Sequence, residues 1–352
     1  MTKSDTMIPV SSPPVSLMFA EAATSGAVAA RQRQANAAAL ADLAHSFRAD
    51  PPRSLLTLGR GSSDNAATVL RYLAERRLGV LTASVAPSIA SVYETSALGA
   101  DDVLVAISQS GRSPDLLATV DAARARNARV VALVNDLTSP LAEKADGVLD
   151  LSAGPERSVA ATKSCIASMV AGFDLIAAWS GDEALSAALD GLPAQLDEAW
   201  ECDWSAAIER LASARNLFVI ARGHALGVAQ EIALKFKETC GLHAEAFSAA
   251  EVRHGPMTLV QKGFPVLILG QDDETLEGVR ELAREFAGRG AQVMHAGLDI
   301  GEGLALPGVA ADPPVQPLLQ LQSFYRMCES LARRRGIDPD QPPHLAKVTR
   351  TL

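Results

Sequence analysis

Two polar stretches rich in hydroxyl groups stand where predicted strands end and predicted helices begin. The first is Gly59-Arg-Gly-Ser-Ser63, and the second is Ile107-Ser-Gln-Ser-Gly-Arg-Ser113. In open parallel sheets, ligands bind beyond the carboxyl ends of the strands. Hydroxyls and free N–H groups at a helix N-terminus suit a phosphate. The two loops therefore predict an anion site at one edge of a sheet.

A plainer interpretation is that each serine only caps a helix. Two such loops in neighbouring strand–helix units favour the phosphate site over this alternative. Neither loop has the spacing of a P-loop or of a dinucleotide-binding motif, which argues against ATP and NAD. The five candidate phosphate ligands are Ser63, Ser108, Gln109, Ser110 and Ser113.

A second group of candidate residues could move protons. Glu231, Lys235 and Glu238 recur at spacings of four and three, which places them on one helix face. Such a face is often only solvated, with one ion pair. Here the helix follows a strand and a glycine, so its start can face a site. His254 precedes Gly-Pro in a predicted loop, and its imidazole can exchange protons near neutral pH unless it is an inert surface residue.

Metal binding is the weaker interpretation of the polar stretch that follows this helix. His243 and Glu245 are metal-ligand types, but they lack the spacing of the zinc proteases. The four cysteines form no C-x-x-C pair and lie far apart, which argues against structural zinc and against disulfide staples. We therefore expect neither a metal nor another cofactor.

The composition restricts the possible partners. The 352 residues carry a net charge of −9 and are only 4% aromatic, so neither a basic face nor base-stacking platforms are expected for nucleic acids. The N-terminus lacks the apolar core of a signal peptide, and no long uncharged apolar run would span a membrane. We expect a cytoplasmic protein with no membrane partner.

Short apolar runs alternate with helical stretches along most of the chain. Residues 54–58, 103–107, 129–134 and 147–151 are predicted strands, separated by helices that include 65–77 and 114–126. This alternation predicts an α/β fold with a parallel sheet and helices on both faces.

The second half repeats the first at a shift of 162 residues. Leu55–Gly61 aligns with Leu217–Gly223, the strand at 103–107 aligns with Pro265–Leu269, and Arg129 aligns with Gln292 at a shift of 163. Three matches in order indicate a duplicated α/β unit. The predicted segments are a disordered stretch and helix at 1–49, a first unit at 50–190, a connector and second unit at 191–335, and a tail at 336–352.

Five motifs together resemble the sugar isomerase (SIS) family. They are GRGSSDNA, ISQSGRSPD, AGPERSVAATKS, ALKFKETCGLHAEAFSAAEVRHGP and DQPPHLAKVT. They are similar to the isomerase half of glucosamine-6-phosphate synthase and, more closely, to stand-alone SIS-type glucosamine-6-phosphate deaminases. The resemblance implies two tandem SIS domains, each a flavodoxin-like three-layer sandwich.

The resemblance also implies roles for individual residues. Glu238 matches the base that moves a proton between carbons 1 and 2 of the sugar, and Lys235 matches its helix partner. His254 matches a ring-opening histidine supplied by the other subunit of a homodimer. Lys347 matches a tail lysine that residues 340–350 bring over the active site. The phosphate loop matches the five ligands named above, and the sugar-lining backbone matches Val159 and Ala160.

The chain departs from the synthase pattern in two places. Only about 50 residues precede the first unit, and they lack the cysteine nucleophile of a glutaminase domain. Pro343-His344 stands where the synthase tail has an Arg-Asn pair. We therefore expect a deaminase that isomerises glucosamine 6-phosphate and hydrolyses the product to fructose 6-phosphate and ammonia.

Two alternatives remain open. One is action on another 6-phosphosugar amine, such as fructosamine 6-phosphate or galactosamine 6-phosphate. The other is a sugar-phosphate sensor without catalysis, which the acid–base residues disfavour because a sensor needs only the phosphate loop.

Overall fold

A computed structural model describes residues 15–345 and 347, in which helices and parallel strands alternate. The helices in this part of the chain are α1 (Leu17–Ala22), α2 (Ser25–Ala49), α3 (Ser62–Leu78), α4 (Ser88–Ser91), α5 (Pro114–Arg124), α6 (Pro140–Lys144), α7 (Lys163–Ser180), α8 (Glu183–Trp200), α9 (Ser205–Leu211), α10 (Ala225–Cys240), α11 (Leu276–Gly288) and α12 (Gln316–Arg334). The strands are β1 (Ser54–Leu58), β2 (Leu81–Ser84), β3 (Asp102–Ser108), β4 (Arg129–Val134), β5 (Gly147–Asp150), β6 (Asn216–Ala221), β7 (His243–Ser248), β8 (Pro265–Leu269), β9 (Gln292–Ala296) and β10 (Leu304–Leu306). Two short 3₁₀ turns, Glu251–Arg253 and Pro256–Leu259, follow β7.

The first sheet has the strand order β2-β1-β3-β4-β5, and its neighbouring strands all run parallel. Its central strand β3 is buried along its whole length because helices cover both faces. Val103 and Val105 pack among residues of α2, α3 and α7, whereas Leu104 and Ala106 pack among residues of α5 and α6. The first unit is therefore the predicted three-layer sandwich.

The second sheet repeats this topology with the order β10-β9-β8-β6-β7, again all parallel. Counted from its own first strand, each sheet has the flavodoxin-like order 2-1-3-4-5. The first strands begin at Ser54 and Asn216, 162 residues apart. The predicted duplication of a parallel α/β unit is thus confirmed.

The two units meet where α3 crosses α10, its counterpart in the repeat. A Cβ added at Gly227 would lie 2.6 Å from the carbonyl oxygen of Asn65 and 2.6 Å from the side chain of Val69. Glycine lets the two helices come this close. The shift of 162 equates Gly227 with Asn65, so the helices cross at matching positions. The crossing sets α10 beside the first hydroxyl-rich loop.

Three strands were not predicted, and all three lie at sheet edges. Strands β2 and β7 each have one fully buried residue, Thr82 and Ala244, and β10 is only three residues long. Edge strands face solvent on one side, so they need no continuous apolar run. The stretch with His243 and Glu245, which lacked apolar periodicity, is the edge strand β7.

The ends of the chain are only partly described. The helix predicted within residues 1–49 corresponds to α1 and α2, whereas the predicted disordered stretch falls mainly in residues 1–14, outside the described residues. The predicted boundary at residue 191 lies inside α8. Among the described residues, no helix combines the length and apolar character that crossing a bilayer requires.

Candidate active site

One cavity of about 340 Å³ lies at the carboxyl ends of β1 and β3, where the strand order of the first sheet reverses. Helices α3 and α5 begin at its wall, with Ser62 and Pro114 as their first residues. Backbone N–H groups at two helix N-termini therefore face the same region as the loop hydroxyls. All five candidate phosphate ligands line the cavity, namely Ser63, Ser108, Gln109, Ser110 and Ser113.

The second loop is fixed by its own backbone. The N–H of Gly111 donates to Ser108 Oγ at 3.0 Å, which leaves the Ser108 hydroxyl hydrogen available to a ligand. Gly111 has a φ of 62°, and an added Cβ would lie 2.3 Å from Ser139 Oγ. Glycine is therefore required here, and the loop is formed without using the donor of Ser108.

The first loop is held by an ion pair. Arg60, which lines the cavity, donates from Nη2 and Nε to Asp115 Oδ2 at 2.7 and 3.0 Å. Asp115 lies in the first turn of α5, so this contact joins the loop after β1 to the loop after β3. The guanidinium of Arg60 is thereby neutralised by a protein carboxylate.

Lys235 is the centre of a charged cluster formed by Ser62, Glu231, Lys235 and Glu238. Its Nζ lies 3.0 Å from Ser62 Oγ, 2.5 Å from Glu238 Oε2 and 3.3 Å from Glu231 Oε1. The ammonium donates hydrogen bonds to Ser62 and Glu238, and Glu231 Oε1 lies within ion-pair distance of it. Burial alone would lower the pKa of Lys235, but the charges of Glu231 and Glu238 outweigh it and hold the pKa above its usual value. Lys235 therefore stays protonated and is unsuited to act as a base.

The two carboxylates beside Lys235 differ in their access to the cavity. Glu231 is fully buried, and it accepts from Asn65 Nδ2 at 2.9 Å, Ser62 Oγ at 3.1 Å and Tyr325 Oη at 3.2 Å. Burial raises the pKa of Glu231, although Lys235 opposes the shift. Glu238 is 24% exposed and lines the cavity. Glu231 is thus placed to organise the cluster, and Glu238 is placed to meet a ligand.

The tail contributes a second ammonium group. Lys347 lines the cavity, donates to the carbonyl oxygen of Ser158 at 2.7 Å and lies 3.5 Å from Glu156 Oε2. The buried carboxylate of Glu156 also accepts from the N–H groups of Thr162 and Ser164, at 3.0 and 3.2 Å. Segment 156–158 therefore holds the tail lysine against the start of α7.

Of the other predicted residues, some line the cavity and some do not. Val159 lines the cavity, but Ala160 is 1% exposed and does not, and Ala161 lines the wall instead. His254 is exposed directly after the 3₁₀ turn Glu251–Arg253 and does not line the cavity of its own chain. His243 and Glu245 are exposed on β7, and the described residues contain no group of three or more His, Cys, Asp and Glu side chains that could hold a metal.

The corresponding loop of the second unit is acidic. After β8 the chain carries Asp272, Asp273 and Glu274 at the positions that the repeat equates with Ser110, Gly111 and Arg112. These carboxylates offer no donors to a phosphate, and two of them, Asp273 and Glu274, are paired with Arg76. The hydroxyl-rich loop of the first unit therefore has no equivalent there.

Several residues of the site were not singled out from the sequence. Ser62 is next to Ser63 in the first loop, and this position in a hydroxyl-rich loop could have identified it as a site residue. Asn65 and Glu156 lie within two of the quoted motifs but were given no role there, and Tyr325 lies outside all five. Only the tertiary structure brings Asn65 and Tyr325 to Glu231, and Glu156 to Lys347. Glu231 was recognised only as part of a helix face.

Tandem parallel sheets with a polar cavity at the switch point of the first sheet define the class of this protein. Its sequence matches the SIS domain over residues 50–178 and 210–298, and the chain belongs to the SIS domain family. The sequence-based identification is thereby confirmed.

Three relatives show how the chain compares within this class. It is 36% identical over 314 residues to glutamine–fructose-6-phosphate aminotransferase [isomerizing] of Aeropyrum pernix, covering 84% of this chain and 50% of that protein. The chain thus spans about half the length of the curated relatives it matches. A solved structure from Silicibacter pomeroyi DSS-3, assigned as a phosphosugar isomerase, is 41% identical with a TM-score of 0.88 and covers 93% of this chain and all of that one. The glucosamine-6-phosphate deaminase of Thermotoga maritima shares the fold, with a TM-score of 0.73, 24% identity, and coverage of 95% of this chain and all of that one.

Proposed function

We propose that this protein deaminates glucosamine 6-phosphate, by aldose–ketose isomerisation followed by hydrolytic release of ammonia and fructose 6-phosphate. One observation carries the proposal. The Lys235–Glu238 pair lines the same cavity as the five candidate phosphate ligands, so a single phosphosugar can contact both. A phosphate anchor and a nearby carboxylate are the parts that a sugar-phosphate isomerase needs.

The phosphate binds to the hydroxyl-rich loops. The donors of Ser108, Gln109 and Ser110 and the N-termini of α3 and α5 replace its hydration shell. Because the chain is acidic overall, this local arrangement supplies the attraction that the net charge does not.

Glu238 is the base in this proposal. It removes the proton on carbon 2 of the open-chain sugar and returns it to carbon 1. Lys235 is engaged by three protein oxygens, so its main role is to hold the Glu238 carboxylate in place. A base must lie within hydrogen-bond reach of its proton, and a fixed carboxylate meets this need.

Lys347 is the better placed ammonium for the developing enediol oxygen. Its side chain is 28% exposed, and among the residues that the structure describes it makes one close hydrogen bond, to the carbonyl oxygen of Ser158. At least one of its donors is therefore available for negative charge that forms during the reaction.

His254 acts in trans in this proposal. Its exposed position outside the cavity of its own chain fits a role in opening the sugar ring within the site of a partner subunit. The functional unit is then a homodimer.

Isomerisation gives the imine of fructose 6-phosphate, and addition of water releases ammonia. The names of the relatives support an amino-sugar phosphate, since one is a fructose-6-phosphate aminotransferase and another a glucosamine-6-phosphate deaminase.

The test is to incubate purified protein with glucosamine 6-phosphate, without glutamine, and to follow ammonia and fructose 6-phosphate together. We expect equimolar release of both products by the wild type and no release by Glu238→Gln. Glu245→Gln, an exposed carboxylate on β7 that is outside the cavity, is the matched control and should retain activity. Absence of both products from wild-type protein that binds the substrate would refute the deaminase, and a panel of 6-phosphosugar amines would then identify the substrate.

A further inference from the structure

Two buried cysteines from different helices lie in contact behind the candidate site. Cys240 is the last residue of α10, Cys328 lies within α12, and both are fully buried. Their Sγ atoms are 3.7 Å apart. The hydroxyl of Thr239 lies 3.1 Å from the Cys328 sulfur and 3.5 Å from the Cys240 sulfur. Of the other two cysteines, Cys165 Sγ lies 3.6 Å from the carbonyl oxygen of Ser62, and Cys202 Sγ lies 4.0 Å from that of Glu198.

This geometry is close to that of a disulfide. An S–S bond is about 2.05 Å long, so the two sulfur atoms need to approach by less than about 2 Å. The two helices are already packed against each other, and 88 residues separate the cysteines. A disulfide between Cys240 and Cys328 would close a long loop, and it would join two helices that are already in contact.

The two thiols differ in their chemistry. A hydrogen bond from Cys328 and the nearby charge of Arg335 lower the pKa of Cys240, whereas burial raises the pKa of Cys328. Arg335 also donates from Nε to the carbonyl oxygen of Cys240 at 2.7 Å. Cys240 is therefore the better nucleophile, and Cys328 keeps its proton until the second step.

We propose that Cys240 and Cys328 are a modification site, which a small hydroperoxide converts into a reversible disulfide that lowers turnover. The Cys240 thiol releases its proton, and its thiolate attacks one oxygen of hydrogen peroxide and breaks the O–O bond. The hydroxide that leaves takes up the released proton, which gives a sulfenic acid and one water molecule. The Cys328 sulfur then attacks the sulfenic sulfur, and the hydroxyl leaves as a second water molecule with the thiol proton. The two thiols give up two electrons, and hydrogen peroxide is reduced to two water molecules.

The pair is coupled to the site through both helices. Cys240 lies two residues after Glu238 on α10, and Cys328 lies three residues after Tyr325 on α12. Thr239, which contacts both sulfur atoms, also donates to the carbonyl oxygen of Lys235 at 2.7 Å. Drawing the sulfur atoms together displaces the end of α10, and errors of about 1 Å in the position of a catalytic group can cost about 100-fold in rate. This effect on turnover rests on the proposed function, but disulfide formation does not.

The test treats folded wild-type protein with hydrogen peroxide and measures intact mass, free thiols and cross-linked peptides before and after dithiothreitol. We expect a mass loss of two hydrogen atoms, a linked peptide containing Cys240 and Cys328, and recovery with the reductant. Cys328→Ala and Cys240→Ser should each fail to form the link, and Cys202→Ser, the matched control, should form it like the wild type. If the peroxide leaves Cys240 and Cys328 free while it oxidises Cys202, the proposal is wrong.

Turnover is measured on the same samples. We expect at least a tenfold fall in kcat on oxidation, reversed by dithiothreitol, in wild type and in Cys202→Ser only. A disulfide that forms without any change in kcat would overturn the coupling. Reduced protein without deaminase activity would instead refute the proposed function, and the mass measurement would still decide whether the disulfide forms.

Discussion

Replacing Lys235 by Met tests whether the charged cluster is held together by this one ammonium. Methionine fills most of the space of the lysine stem but supplies no charge and no donor. Glu231 is fully buried and would keep only the neutral donors of Asn65, Ser62 and Tyr325. A buried carboxylate without a counter-charge destabilises the folded state strongly.

The size of the effect follows from the distance. Two unit charges 3.3 Å apart, as for Lys235 Nζ and Glu231 Oε1, attract by about 5 kcal/mol at an effective dielectric constant of about 20. The loss is limited because burial already raises the pKa of Glu231, so the carboxyl group can take up a proton instead. We expect Lys235→Met to lower the free energy of unfolding by about 3–5 kcal/mol at pH 7.

The pH dependence has a definite sign. In the variant, the folded-state pKa of Glu231 rises further above its unfolded value, so the folded state binds a proton that the unfolded state releases. The deficit relative to wild type is therefore largest at neutral pH and shrinks as the pH falls toward 5.

The assay is urea unfolding followed by the fluorescence of the three tryptophans. It compares Lys235→Met, Glu231→Gln and the double variant at pH 7 and pH 5. The double variant leaves no unpaired charge at Glu231, so it should recover at least about 2 kcal/mol relative to additivity. A loss below about 1 kcal/mol in Lys235→Met, or additive single variants, would refute the reasoning.

Two further predictions concern a buried histidine and the tail. Burial lowers the pKa of His224 to about 4, from 6.5 in the unfolded chain. As the pH falls from 6.5 to 4, the unfolded state takes up a proton that the folded state does not, so the free energy of unfolding decreases by up to about 3 kcal/mol. His224→Gln should remove this part of the acid sensitivity, measured as urea midpoints at pH 7 and 4.5, and an unchanged slope would contradict it. Lys347→Met should lower kcat by about 100- to 1,000-fold with an unchanged melting temperature, and a change confined to KM would contradict its proposed role.

The central strands could be predicted from sequence because each is an apolar run. Strands β3 and β8 are buried along their full length, so nearly every residue of each must be apolar or small. The edge strands β2 and β7 escaped prediction since each buries one residue fully, and neighbouring strands rather than their own side chains specify them.

The candidate site was predictable in part for the same reason. A polar loop that follows a buried parallel strand lies at the carboxyl edge of the sheet, and this rule places Ser63 and Ser108 close together. No comparable rule predicts which residues form hydrogen bonds with Glu231. Asn65 and Tyr325 come from helices that are distant in sequence, and only the crossing at Gly227 and the packing of α12 bring them to one carboxylate.

The duplication itself explains why, within the described residues, the hydroxyl-rich cavity lies in the first unit and not in the second. The shift of 162 equates Glu238 on α10 with Arg76 on α3, and it equates Gly111 with Asp273. Arg76 Nη1 lies 3.2 Å from Asp273 Oδ2, and its Nη2 lies 2.7 Å from Glu274 Oε2.

Each helix therefore reaches into the loop of the other unit, but with opposite results. In the first loop, a carboxylate from α10 faces hydroxyls and leaves a cavity. In the second, an arginine from α3 pairs with two carboxylates, and the cavity of about 300 Å³ at that loop is lined by acidic and basic side chains instead of hydroxyls. One copy of the repeat thus contributes the phosphate loops and the other contributes the helix with Lys235 and Glu238, so neither unit alone would hold the complete set.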